Sequence, residues 1–133
     1  MEKIISAMLV IVGLIHLLPV SGVLGPDRLE ALYGVSLTDP NLVILMRHRA
    51  VLFGLLGLFI VYSAFKPSLQ ALALLAGFLS VVSFIFIAWS VGSYNEAVHR
   101  VVIADIVAVI ALGIAGVLYL TFRNQHRAAR NAE

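Results

Sequence analysis

Residues 40–65, PNLVILMRHRAVLFGLLGLFIVYSAF, form an apolar run broken by charge only at Arg47-His48-Arg49. The run is too long for a buried strand and long enough for a helix across a bilayer, which needs roughly 20 apolar residues. Thr38-Asp39-Pro40 supplies a capping side chain and a proline for the first helical position, so the helix is expected to begin at Pro40. Cations two turns into such a helix are costly in hydrocarbon and need a partner, a ligand or a path to water.

Three further segments share this character, about Ile4 to Val20, Leu69 to Val91 and Val98 to Phe122. The expected fold is therefore all-α, an integral membrane four-helix bundle forming one domain over residues 1–133, with helices at about 4–20, 40–65, 69–91 and 98–122. With 62% hydrophobic residues, 12% charged residues and a mean hydropathy of +1.06, the composition excludes an ordinary soluble domain. Much of the basic charge lies in a tail over 123–133 that holds Arg123, His126, Arg127 and Arg130, which suits an anionic lipid surface; no nucleic acid partner is expected. The absence of cysteine rules out disulfides, thiolate metal sites and haem attached through cysteine. The first segment has only Lys3 as a basic region and no A-x-A site around Pro19 to Gly25, so it is expected to span rather than to be a cleaved signal.

In a four-pass arrangement Lys3, Lys66, Arg123, Arg127 and Arg130 fall on one side, which is expected to be cytoplasmic, with both termini there. The first outer loop carries its own helix signal. Pro26 fits a first helical position and Gly34 the residue past the end, while Leu29, Leu32 and Tyr33 make an apolar stripe, so an interfacial helix is expected over about 26–33. Asn95 is placed to cap the last helix, with Glu96 in its first turn.

These starts set depths. At 1.5 Å per residue, Arg47 and His48 lie about 10 to 12 Å along the second helix, Asp105 about 14 Å along the fourth and His16 about 6 to 9 Å from the outer end of the first. Small residues mark close helix contacts in lipid, and Arg47, Ala50, Gly54 and Gly57 recur at three-to-four spacing, so Arg47 is expected to face the bundle. On the fourth helix Ala104, Ala108, Ala111 and Ala115 form the small face, with Arg100 near its line and Asp105 at its edge. The expected ligand-binding set is Arg47, His48, Arg100 and Asp105, with His16 nearby, in a pocket open to the periplasmic side.

Plainer readings stand beside this one. Arg47 with Asp105, and Glu96 with Arg100 at four-residue spacing, can be structural ion pairs. Arg49 shares a face with Phe53, Leu56 and Ile60 and is expected to snorkel to headgroups or reach a neighbouring subunit. Ser80 and Ser83 are expected to bond to the preceding turn. Tyr33, Trp89 and Tyr94 on one side, with Tyr62, Tyr119 and Phe122 on the other, read as interfacial belts. His16, His48 and His99 with Asp105 or Glu96 offer metal-ligand types without the one-helix spacing that marks a site, so neither metal nor haem is expected. No P-loop, G-x-G-x-x-G or G-x-S-x-G motif is present, and the chain reads as a binding protein rather than an enzyme.

Gly13-Leu14-Ile15-His16-Leu17-Leu18-Pro19, the run Arg49-Ala50-Val51-Leu52-Phe53-Gly54-Leu55-Leu56-Gly57, and four short-looped helices across nearly the whole chain resemble the DoxX-like small bacterial four-helix membrane proteins. The resemblance implies this fold in a bacterial inner membrane and a link, known for some members, to membrane redox complexes that pass electrons to quinone. Sequences of this appearance are sometimes called phosphopantetheine adenylyltransferase, a soluble enzyme whose H-x-G-H motif is absent here. The expected function is binding of a small or amphiphilic ligand, a quinone or lipid headgroup, possible partners being membrane lipids, further copies of the chain or a larger membrane complex. Anion or proton transport and a purely structural, accessory role remain open.

Overall fold

The computed structural model describes residues 2–130, and the side chains of residues 126, 127, 129 and 130 lie outside that description. His126, Arg127 and Arg130 of the basic tail therefore contribute no side-chain geometry, and residues 131–133 none at all. Every element described is helical: α1 Glu2–Leu17, a 3-10 segment Leu18–Leu24, α2 Pro26–Tyr33, α3 Pro40–Ala64, α4 Pro67–Val91 and α5 Glu96–Arg130. Four units are long and apolar enough to cross a membrane, namely α1 with its 3-10 extension, α3, α4 and α5, the profile of a multi-pass membrane protein. Their outward faces carry large exposed apolar side chains such as Leu14, Leu55, Leu79, Phe86 and Ile110.

Local chemistry sets the element ends. Pro19 cannot donate the amide that would continue α1, and its ring crowds the carbonyl of Ile15, so the chain tightens into the 3-10 segment. Pro26 opens α2, and Gly34 closes it in the left-handed conformation at φ 64°, its N–H bonding to Glu30 O at 2.7 Å. Asp39 Oδ1 accepts from Asn41 N at 2.8 Å to cap α3. Asn95 serves two elements at once. Its Oδ1 accepts from Val98 N at 2.9 Å to cap α5, while its Nδ2 donates to the carbonyls of Tyr33 at 2.8 Å and Gly34 at 3.2 Å, tying down the end of α2. Asn95→Ala is expected to cost about 0.5–2 kcal/mol through the cap alone and to speed hydrogen exchange in α2. Asn95→Ser should restore the cap but not the protection of α2, because it lacks the amide donors.

α5 runs two turns beyond the expected end near Phe122, so residues 123–130 are helical rather than a loose tail. No glycine or proline follows Gly116, and leaving the apolar layer does not itself end a helix.

The four long helices form a ring. α1 packs on α3 and α5, and α4 on the same two, while α3 and α5 lie diagonally without direct packing among the described residues. Ser6 meets Ala64, Gly13 meets Val61, and Gly54 meets Val20, so α1 and α3 run antiparallel. The core beneath is dry: Ile5, Leu9, Val12, Ile60, Ala64, Val81, Ala108, Leu112 and Ala115 are all buried in one cluster. At the opposite end α2 lies over the bundle through a smaller cluster of Leu29, Tyr33 and Leu37.

Candidate functional site

Beneath α2 the bundle leaves an open space. Between α1 with its 3-10 extension, α2, α3 and α5 lies a half-enclosed cavity of about 270 Å³. Ile15, His16, Leu32, Tyr33, Phe53, Val101 and Ala104 supply most of its wall, and Arg49, Arg100 and Asp105 its charge. Leu18, Ala31 and Arg100, which also line it, are exposed and mark its mouth. The volume lies just under the ~300 Å³ at which small-molecule pockets usually begin, so the space suits a head or ring rather than a large molecule.

Arg49 is the centre of the site. It stands nine residues past Pro40, and Asp105 nine past Glu96, so each lies about 13.5 Å along its own helix, and both line the cavity. Arg49 Nη1 donates to Tyr33 Oη at 2.8 Å, and its guanidinium carbon lies 5.2 Å, 4.8 Å and 5.6 Å from the ring centres of Tyr33, Phe53 and Phe84. Rings at this range stabilise a desolvated cation through their negative faces. Among the described residues that is the guanidinium's one hydrogen bond, so most of its five donors stay available.

Asp105 is 7% exposed and accepts no hydrogen bond among the described residues. Among the described residues no sealed side-chain oxygen lacks a partner, so its carboxylate reaches accessible space, and the space beside it is the cavity. Arg49 acts on it electrostatically, yet no ion pair closes between them among the described residues. The Tyr33 hydroxyl and the rings of Tyr33, Phe53 and Phe84 hold the guanidinium back.

His16, 2% exposed, completes the wall. Its Nδ1 lies 2.8 Å from Val12 O, its Nε2 3.1 Å from Ser80 Oγ, and its ring stacks on Phe53 at 5.7 Å. A carbonyl only accepts, so Nδ1 carries the hydrogen and a neutral ring takes the Ser80 hydroxyl hydrogen at Nε2. Ser80→Ala should leave that nitrogen orphaned and lower stability by about 1–3 kcal/mol, read from unfolding in detergent.

The other expected site residues lie elsewhere. Arg47 is exposed and donates from Nε to Val23 O at 2.8 Å, so it belongs to the 3-10 segment rather than to the pocket. His48 is exposed outside the cavity, and His99 stacks on Tyr94 at 6.1 Å. No ion pair joins Arg47 to Asp105, or Glu96 to Arg100, among the described residues. No three His or carboxylate groups converge there as a metal site would require.

Three assignments change in consequence. Arg49 points inward because α3 touches two neighbours and has two inward stripes, one of Ala50, Gly54 and Gly57 and one of Arg49, Phe53 and Ile60. Tyr33, 7% exposed, belongs to the pocket roof and not to an aromatic belt. Ser80 bonds to His16 rather than to its own helix, as Ser83 does with Ser80 O. The Arg49–Phe53 spacing, one turn apart on a helix, is the sequence signal that could have placed Arg49 beside an aromatic ring, where the expectation sent it to headgroups or a neighbouring subunit. No family model, curated protein or solved structure matches the chain.

Proposed function

We propose that this chain is a multi-pass protein of the bacterial inner membrane whose cavity under α2 faces the periplasm and binds the head of a small or amphiphilic ligand. A quinone or a lipid headgroup fits that description, and service to a membrane redox system is the setting the DoxX-like resemblance suggests. The observation that carries the reading is the unclosed gap between Arg49 and Asp105, two opposite charges that line one cavity without an ion pair between them among the described residues. Lys3, Lys66 and Arg123 lie at the other end of the bundle, which supports cytoplasmic termini.

Transport is less favoured, because among the described residues Ile5, Leu9, Ile60 and Leu112 bury an apolar core below the pocket, with Ser63 and Gln70 the buried polar side chains at that end. Association with further copies or a membrane complex is supported by Gly113 and Gly116 on α5, over which a side chain would meet open space.

Native mass spectrometry of gently extracted protein tests the reading. A bound mass is expected on the wild type and on Arg47→Ala, reduced at least about tenfold on Arg49→Gln. A mass that follows Arg47 and ignores Arg49 would reject the pocket.

A further inference from the structure

The chemistry of the gap narrows the ligand, on the premise that the cavity is a ligand site. With Asp105 ionised and His16 neutral, the lining groups Arg49, Arg100 and Asp105 sum to a single positive charge, since arginine stays protonated. The α3 wall therefore offers the donors of Arg49, which want an anion, and the α5 wall offers those of Arg100 together with the Asp105 carboxylate, which wants a donor. At about 270 Å³ the cavity holds roughly nine waters at ~30 Å³ each, enough for a compact polar head with its chain left outside. Asp105 is more than nine-tenths buried and unpartnered among the described residues, and it opens into this space.

A quinone ring presents only acceptors, which serve the arginines and leave Asp105 facing lone pairs. A quinol presents hydroxyls to Asp105 but brings no charge to the arginines. A phosphodiester carrying a hydroxyl or ammonium group a two- or three-carbon link away answers both walls at once. Its anionic oxygens accept from Arg49 and Arg100 in the forked geometry that guanidinium favours, and its donor reaches the carboxylate.

We infer that the gap between Arg49 and Asp105 is a headgroup site for a phosphate ester with a nearby O–H or N–H donor, the chemistry shared by phosphatidylglycerol and phosphatidylethanolamine. Phosphatidylcholine has the same phosphate but no donor, because its quaternary ammonium carries no hydrogen, so it is the discriminating control. The mouth at Leu18 and Ala31 leaves the acyl chains outside against the apolar flank of the bundle.

The test offers delipidated full-length protein an equimolar mixture of the three lipids with matched chains and counts adducts by native mass spectrometry. Retention of the glycerol and ethanolamine lipids at least about tenfold above the choline lipid is expected. Arg49→Gln should lose all three. Asp105→Asn, which keeps the shape of the side chain, should still bind phosphate lipids but with the preference reduced to about twofold or less; Asp105→Ala checks that result without the new amide. Equal retention of the three lipids by the wild type, or an unchanged preference in both Asp105 variants, would overturn the inference. Displacement by millimolar free phosphoethanolamine would show that the head suffices and a soluble ester can be the source, whereas resistance to it would assign an embedded lipid; either is compatible with the headgroup site. A different mass that depends on Arg49, without lipid preference, would reject the headgroup and leave the pocket standing. No Arg49-dependent mass of any kind would reject both.

Discussion

Gly57→Val should prevent the bundle from assembling, with a larger effect than any change in the polar residues. A Cβ at position 57 would stand 2.9 Å from the carbonyl oxygen of Gly13 and 2.9 Å from Leu17 Cγ, and a Cβ at Gly13 would meet Gly57 O at 3.0 Å. The obstacle is backbone on both helices, so no rotamer change relieves it, and α1 and α3 must separate. Overpacking of this kind usually costs about 1–3 kcal/mol, a range expected for Gly57→Ala, with valine above it. In lipid the loss is hard to recover, because close backbone approach rather than water exclusion holds helices together. Thermal unfolding in detergent followed by circular dichroism checks this. A midpoint for Gly57→Val within error of the wild type would contradict the packing.

The second large effect is expected from a substitution that keeps the charge. Arg49→Lys should lower ligand retention at least about tenfold while the protein stays folded. A lysine ammonium is a compact, strongly hydrated charge on a flexible stem, whereas the guanidinium of Arg49 lies among Tyr33, Phe53 and Phe84, bonds Tyr33 Oη and lines the cavity with donors to spare. Lysine can satisfy Tyr33 or the ligand but not both in that geometry. Retention within about twofold of the wild type would mean that charge alone matters, and the aromatic box around Arg49 would lose its assigned role.

Much of the scaffold was legible because its signals are local. Pro26 with Gly34, Asp39 with Pro40, and Asn95 each mark an end through a backbone group that needs a partner, and those ends fall where the capping chemistry puts them. Small residues on α3 and α5 also marked real contacts, since Ala50, Gly54, Gly57, Ala108, Ala111 and Ala115 are all buried. Facing was harder. A helix in lipid is apolar on every side, so the contrast that orients a soluble helix is missing, and α3 has two inward stripes to choose between. Arg47 was assigned to the pocket from the small-residue stripe, yet near its end that stripe meets the 3-10 segment and the carbonyl of Val23. The roles of Tyr33 and Ser80 depend on contacts across sixteen and sixty-four residues of chain, which no local pattern encodes.

The chain has no cysteine, so a single Ala104→Cys in the cavity wall gives a clean reporter of whether the space beside Asp105 is occupied. Its rate of maleimide modification should be slow in gently extracted protein and at least about tenfold faster after exhaustive delipidation. Leu24→Cys, at a position 74% exposed outside the cavity, should react alike in both states. Equal rates at Ala104→Cys before and after delipidation would contradict a ligand held between Arg49 and Asp105.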